Sequence, residues 1–100
     1  MRVTTPPGEV LKEEFMKPLG LSANMLARRL DVPPNRVTAV INGSRSITSD
    51  TALRLARAFG TTAEFWLNLQ MAHDLSAARA AAGERIRETV RPFAERTAAS

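Results

Sequence analysis

At 100 residues with a formal net charge of +4, the chain has material for one compact domain, enough to bury something over about 60% of its unfolded surface. Cysteine is absent, which excludes disulfides, thiolate zinc sites and a cysteine nucleophile together and suits a reducing cytosol. No apolar run approaches bilayer-spanning length and the amino end lacks the charged-then-apolar plan of a signal peptide, so a soluble, cytoplasmic protein is expected.

Met1 to Pro7 reads as a short arm, followed by a helix from Gly8 to Met16 that turns Val10, Leu11 and Phe15 inward. Pro18 and Gly20 are expected to end it. Glu13 and Glu14 are adjacent on this helix and therefore diverge, which makes them a solvated face rather than an acid-base pair.

Two short helices across a sharp turn are expected over residues 21 to 44, LSANMLARRLDVPPNRVTAVINGS. Ser22 suits the N-cap of the first, and Leu26, Ala27 and Leu30 fall on one side of it. Asp31 occupies the turn as one of the few non-glycine residues that tolerate a left-handed backbone, and Val32 plugs the corner. Pro33-Pro34 bars continuation of that helix, while Pro34 suits the first position of the next. At about 100° per residue, Val37, Val40 and Ile41 gather on one side of this second helix. Asn35, Thr38, Ala39 and Asn42 point the other way, flanked by Arg36, and Asn42-Gly43 supplies the stop.

A helix that enters the major groove needs short side chains at its centre and donors or forks around it. Asn35 can bond an adenine edge bidentately, Arg36 can reach guanine or a phosphate, and Thr38 and Ala39 can meet a thymine methyl. Ser22 and Asn24 stand at a helix amino end, where unpaired N–H groups and the helix dipole favour a phosphate, and Arg28 and Arg45 can grip the same backbone. Any one of these residues alone is an ordinary solvated position. Together with the turn, the proline start and the local charge they favour groove binding. Residues 21 to 47 carry Arg28, Arg29, Arg36 and Arg45 against Asp31 alone, whereas in residues 1 to 20 the glutamates balance the cations. Basic character therefore gathers on the reading head, as steering to a polyanion requires.

Ser44 to Ile47 reads as a loop. Thr48 then caps a fourth helix with Ala52, Leu55, Ala56 and Phe59 at helical spacing, closed by Gly60. Thr61 or Thr62 caps a fifth, EFWLNLQMAHDL, with Glu64 favourably placed in its first turn. Phe65, Trp66, Leu69 and Ala72 give it a wide apolar stripe. Phe65 and Leu69 are expected in the core, and Trp66 in a dimer seam, with Leu69, Ile86 and Val90 as further seam candidates. His73 is the only histidine, lacks partners for a metal site and is assigned no chemistry. From Ala77 the chain alternates alanine-rich and charged residues. Gly83 is expected to interrupt, Pro92 to forbid a long unbroken helix, Ile86 to Val90 to form a helix end or a short pairing strand, and the last few residues to fray. The expected division is a domain over residues 1–78 and a charged tail over 79–100, a candidate part of the dimer interface. The fold class is all-α: five helices on the lambda-repressor plan.

Three segments, in order and at matching spacing, carry a family resemblance: PGEVLKEEF (7–15), LARRLDVPPNRVTAVINGSRSIT (26–48) and DTALRLARAFGTTAEFWLNLQMAHDL (50–75). The chain to about Leu75 resembles the HigA-type, VapI-like antitoxins of the XRE/Cro/cI helix-turn-helix group, and GTTAEFWLNLQ is the most specific piece. The resemblance implies a small homodimer that represses its own operon at a palindromic operator and silences a HigB-type toxin, an mRNA-cleaving ribonuclease. It implies groove reading by Pro34, Asn35, Arg36, Thr38 and Ala39, and phosphate contacts at Ser22, Ala23, Asn24, Ser44 and Arg45. Asp31 stands where the group often has glycine, and Ser44 where lysine is frequent. Toxin contact would use the arm and first helix, or the charged tail. The competing readings are a stand-alone regulator without a toxin and a protein-interaction module that has lost DNA binding. An enzyme is not expected, because no nucleophile-base pairing or ligand cluster is present, and no cofactor or metal is implied.

Overall fold

A computed structural model describes residues 3–93, which form five helices in an all-α arrangement with no strand among them. The first, α1, begins as Pro7–Val10, widens into a π-helical stretch over Leu11–Met16, and closes with the turn Lys17–Leu19 before left-handed Gly20. Pro18 does not end this helix as expected. A proline inside an α-helix crowds the carbonyl four residues back and leaves it without a donor. Here the backbone has already widened, with the Lys17 amide donating to the Lys12 carbonyl, and the wider register relieves that crowding.

Helix α2 is Ala23–Leu30, α3 is Pro34–Ile41, α4 is Ser49–Phe59 and α5 is Ala63–Thr89. The expected caps form: Ser22 Oγ accepts from the Met25 amide at 3.1 Å, Thr48 Oγ1 from Thr51 at 3.4 Å, and Thr62 Oγ1 from Phe65 at 3.0 Å. Each satisfies an amide that the first helical turn leaves unpaired.

Leu11, Met16, Leu26, Ala27, Leu30, Val37, Val40, Ile47, Ala52, Leu55 and Trp66 close one core that all five helices share. Burying each large aliphatic or aromatic side chain contributes roughly 1.5–3 kcal/mol. Trp66 is its largest member and fully enclosed. Its ring packs at 4.8 Å from Phe15 and 5.0 Å from Phe65, and its Nε1 donates to Thr61 Oγ1 at 2.7 Å. This reverses two expectations: Trp66 is core and not seam, while Phe65 sits at the margin, 38% exposed. A wide apolar stripe fixes that a helix packs without fixing its centre line, and one residue of rotation, about 100°, exchanges the two roles. Ala72, expected on the stripe, is exposed.

The carboxyl half of α5 departs furthest from expectation. Gly83 lies inside the helix, at a cost of about 1 kcal/mol relative to alanine, and does not interrupt it. Pro92 lies beyond the helix end at Thr89, where it forbids nothing upstream. Residues 86–89 are therefore a helix end and not a strand, and α5 runs unbroken across residue 78. Its 27 residues carry it well past the core, giving a molecule 54 Å long and 24 by 22 Å across. The expected fraying of the last few residues falls outside the described ones.

The amino-terminal segment is fastened both to the reading head and to α5. Gly8 packs its backbone against the last turn of α3, where a Cβ would overlap the carbonyl oxygens of Val40 and Ile41. The arm is pinned to α5 by the Thr4 amide, which donates to Ser76 Oγ at 3.0 Å, and by a 3.0 Å contact between the Thr4 carbonyl and His73 Nδ1. His73 thus serves as an anchor for the arm. No helix among the described residues is long and apolar enough to cross a membrane.

Candidate nucleic-acid interface

The turn between α2 and α3 determines what α3 can present. Asp31 takes φ 58° and ψ 49°, the left-handed geometry expected of it, and the Val32 amide reaches back to the Ala27 carbonyl at 3.0 Å. Val32 packs against the core from the corner. Pro33 holds an extended φ and ψ as N-cap, and Pro34 starts α3, where its missing N–H costs nothing.

With Val37 and Val40 buried, the opposite flank of α3 is in solvent: Pro34, Asn35, Thr38 and Asn42 are exposed and Ala39 is half-buried. Thr38 donates its hydroxyl to the Pro34 carbonyl at 2.8 Å, which spends the proton locally and fixes the rotamer. What remains is a row of short side chains with exposed amides at its two ends, Asn35 and Asn42. Ala23, Asn24 and Arg28 lie beside it on α2; Asn24 and Arg28 are exposed, and both line a shallow notch with Asp31 and Pro34.

Three expected contact residues are held differently. Asn42 Oδ1 accepts from both the Ser44 amide at 3.0 Å and the Ser44 hydroxyl at 2.7 Å. This local turn around left-handed Gly43 uses both Ser44 donors, so its phosphate contact is not presented in the free protein. Arg45, next in the chain, is exposed. Arg36 is also drawn off the face. Its Nη1 pairs with Asp50 Oδ2 at 3.1 Å and its side chain is only 27% exposed.

Asp50 was not anticipated as part of the site, and neither was Arg54. Arg54 Nε donates to the same Asp50 oxygen at 2.9 Å, and its Nη1 donates to the carbonyls of Leu30 at 2.8 Å and Asp31 at 3.2 Å. The hydrogen bond from Arg54, with the added field of Arg36, holds the Asp50 carboxyl below its usual range; the same pairing pushes Arg54 up. One carboxylate and two guanidinia thus fasten the turn and α3 to the start of α4. An Asp-x-x-x-Arg pair at i, i+4 was the available signal. Gln70 was missed as well: its Oε1 accepts from the Ile47 amide at 2.7 Å, setting the loop that carries Arg45 against α5.

Of the seam candidates, Trp66 is buried, Leu69 is half-buried against the core, and Ile86 and Val90 are 52% and 63% exposed. Ile86 shares its face of α5 with Met71 and Leu75, also exposed.

A family model described as Helix-turn-helix matches residues 12–66, more than half the chain. Virulence-associated protein I of Dichelobacter nodosus is 54% identical over 72 residues, covering 72% of this chain and 67% of that protein. An addiction module antidote protein of the HigA family from Coxiella burnetii has a solved structure with a TM-score of 0.86 at 53% identity, covering 92% of this chain and all of that one. The Pseudomonas aeruginosa antitoxin HigA, solved with the higBA promoter, superposes with a TM-score of 0.86 at 39% identity, covering 90% of this chain and 98% of that one.

Proposed function

The chain belongs to the helix-turn-helix family and, within it, to the HigA-type antitoxins, and from that premise we propose that it represses its own operon and neutralises a HigB-type ribonuclease toxin. The observation that carries the DNA-binding half is the solvent-facing flank of α3, where Asn35, Thr38 and Ala39 lie opposite the buried Val37 and Val40. A relative at 39% identity is solved with the higBA promoter, which supports DNA binding by this fold. The toxin half rests on the family alone.

In this reading Asn35 takes a base edge, and Thr38 and Ala39 supply apolar contact to thymine methyls beside Pro34. The amino end of α2, through Ser22, Ala23 and Asn24, receives one phosphate, and Arg28 and Arg45 grip the backbone on either side. Asn42 and Ser44 shape the loop that aims Arg45. The protein acts in the cytoplasm and carries no catalytic role.

The functional unit is a homodimer, with two copies of α3 set about 34 Å apart so that they meet a palindrome in successive major grooves. The overhanging half of α5 supplies the seam through Ile86 and Val90, with Leu69 at its inner end. Residues 1–78 are then the reading domain, and the overhang of α5 from residue 79 to Thr89 is a dimer arm continuous with it.

The test is a binding titration against the chain's own upstream DNA, compared with unrelated duplex at several salt concentrations. Preference for the upstream palindrome together with a linear fall of log affinity with log salt supports the proposal. Indifference to sequence overturns the reading role of α3.

A further inference from the structure

Arg36 is the single charged side chain of α3, and the reading face is uncharged because Arg36 is turned away from it. Only one of its nitrogens has a partner among the described residues: Nη1 meets Asp50 Oδ2 at 3.1 Å, while Nε is buried with none. A buried guanidinium nitrogen without an acceptor is unfavourable, so Arg36 stays inward only as long as Asp50 attracts it.

Arg54 differs in this respect. It shares the same carboxylate oxygen but also holds the Leu30 and Asp31 carbonyls. With the charge on Asp50 removed, Arg54 keeps the two carbonyls and stays in place, whereas Arg36 loses the only ionic attraction that holds it. An arginine released near the amino end of a helix lying in the groove reaches the phosphates of the groove wall, and such a contact adds affinity for every sequence alike.

We infer that Asp50 is a specificity-determining positioning residue: by holding Arg36 on the inner side of α3 it withholds one phosphate contact and leaves discrimination to Asn35, Thr38 and Ala39. The inference rests on the DNA-binding reading above, and the wild-type titration separates the two: failure to bind DNA in a salt-dependent way sinks that reading, whatever the variants do.

The experiment measures affinity for unrelated duplex DNA against salt for four full-length proteins: wild type, Asp50→Asn, Arg36→Gln and the double variant, each checked for folding by thermal melting. Asp50→Asn is expected to bind unrelated DNA more tightly, with a log-log slope steeper by about 0.9, the value of one phosphate contact, and to show a smaller preference for the upstream palindrome. The double variant is expected to return to the wild-type slope, and Arg36→Gln alone to leave that slope unchanged. Three results overturn the inference: no change of slope in Asp50→Asn, a steeper slope that survives in the double variant because loss of a negative charge alone causes it, or a slope flattened by about 0.9 in Arg36→Gln alone because Arg36 already contacts phosphate. If Asp50→Asn fails to fold, Arg36→Gln still exposes the inference to refutation, because a slope flattened by about 0.9 overturns it.

Discussion

Gly8 and Val40 meet backbone to backbone, with no room between them for even a methyl group. The contact fixes α1 against the last turn of α3, and so couples the first helix to the orientation of the reading flank. Gly8→Ala must push the two helices apart and is expected to cost about 1–3 kcal/mol, the range for inserting a methyl group into a packed site. Denaturant midpoints of the two proteins check this, and an unchanged midpoint would show that α1 and α3 are not in close contact.

Asn35→Ala is expected to cost roughly 1–3 kcal/mol at one base position of the operator and to relax preference there, whereas Arg45→Ala weakens all sequences alike and lowers the salt slope by about one. Titration of each variant against a panel of single-base operator substitutions separates the two. Identical profiles would show that the division between a base reader and a phosphate grip is wrong.

Trp66 and Ile86 divide stability from assembly. Trp66→Ala removes the largest core side chain and is expected to destabilise the fold by about 3–5 kcal/mol. Ile86→Asp changes an exposed residue on the α5 overhang, leaves the monomer folded and is expected to dissociate the dimer, as read by sedimentation equilibrium. Unaltered mass in Ile86→Asp would move the seam off this face.

The Asp50 clamp makes a signed prediction with pH. Its carboxyl is held below the ordinary value of 3.8, first by the hydrogen bond from Arg54 and then by the charges of Arg54 and Arg36. A depressed folded-state pKa contributes stability that is fully present above the unfolded value and lost as pH falls through the folded one. The melting difference between wild type and Asp50→Asn should therefore be constant near neutrality and vanish below the ordinary carboxylate range. A difference that persists in acid would mean that the clamp is not ionic.

The reading head was legible in the chain because each of its boundaries has a local cause. Ser22 caps, Asp31 turns, Pro34 starts and Gly43 stops, and none of these depends on a distant residue. The residues that escaped notice act at a distance: Arg54 reaches carbonyls 23 and 24 residues away, Gln70 an amide 23 residues away, and Gly8 the far end of α3. Periodicity identified the stripe on α5 but not its centre, so Trp66 and Phe65 exchanged places. Arg36 looked free because its i, i+4 neighbours offer no acid; its partner Asp50 lies on another helix.

The most direct test of the account is fluorescence anisotropy of the full chain against its own upstream palindrome and against a scrambled duplex, from about 50 to about 200 mM salt, a range over which phosphate contacts weaken binding steeply. Tighter binding to the palindrome is expected at every salt concentration, with a linear log-log decline on both duplexes and loss of the preference in Asn35→Ala. Equal affinity for the two duplexes, unaffected by salt and by Asn35→Ala, would contradict it.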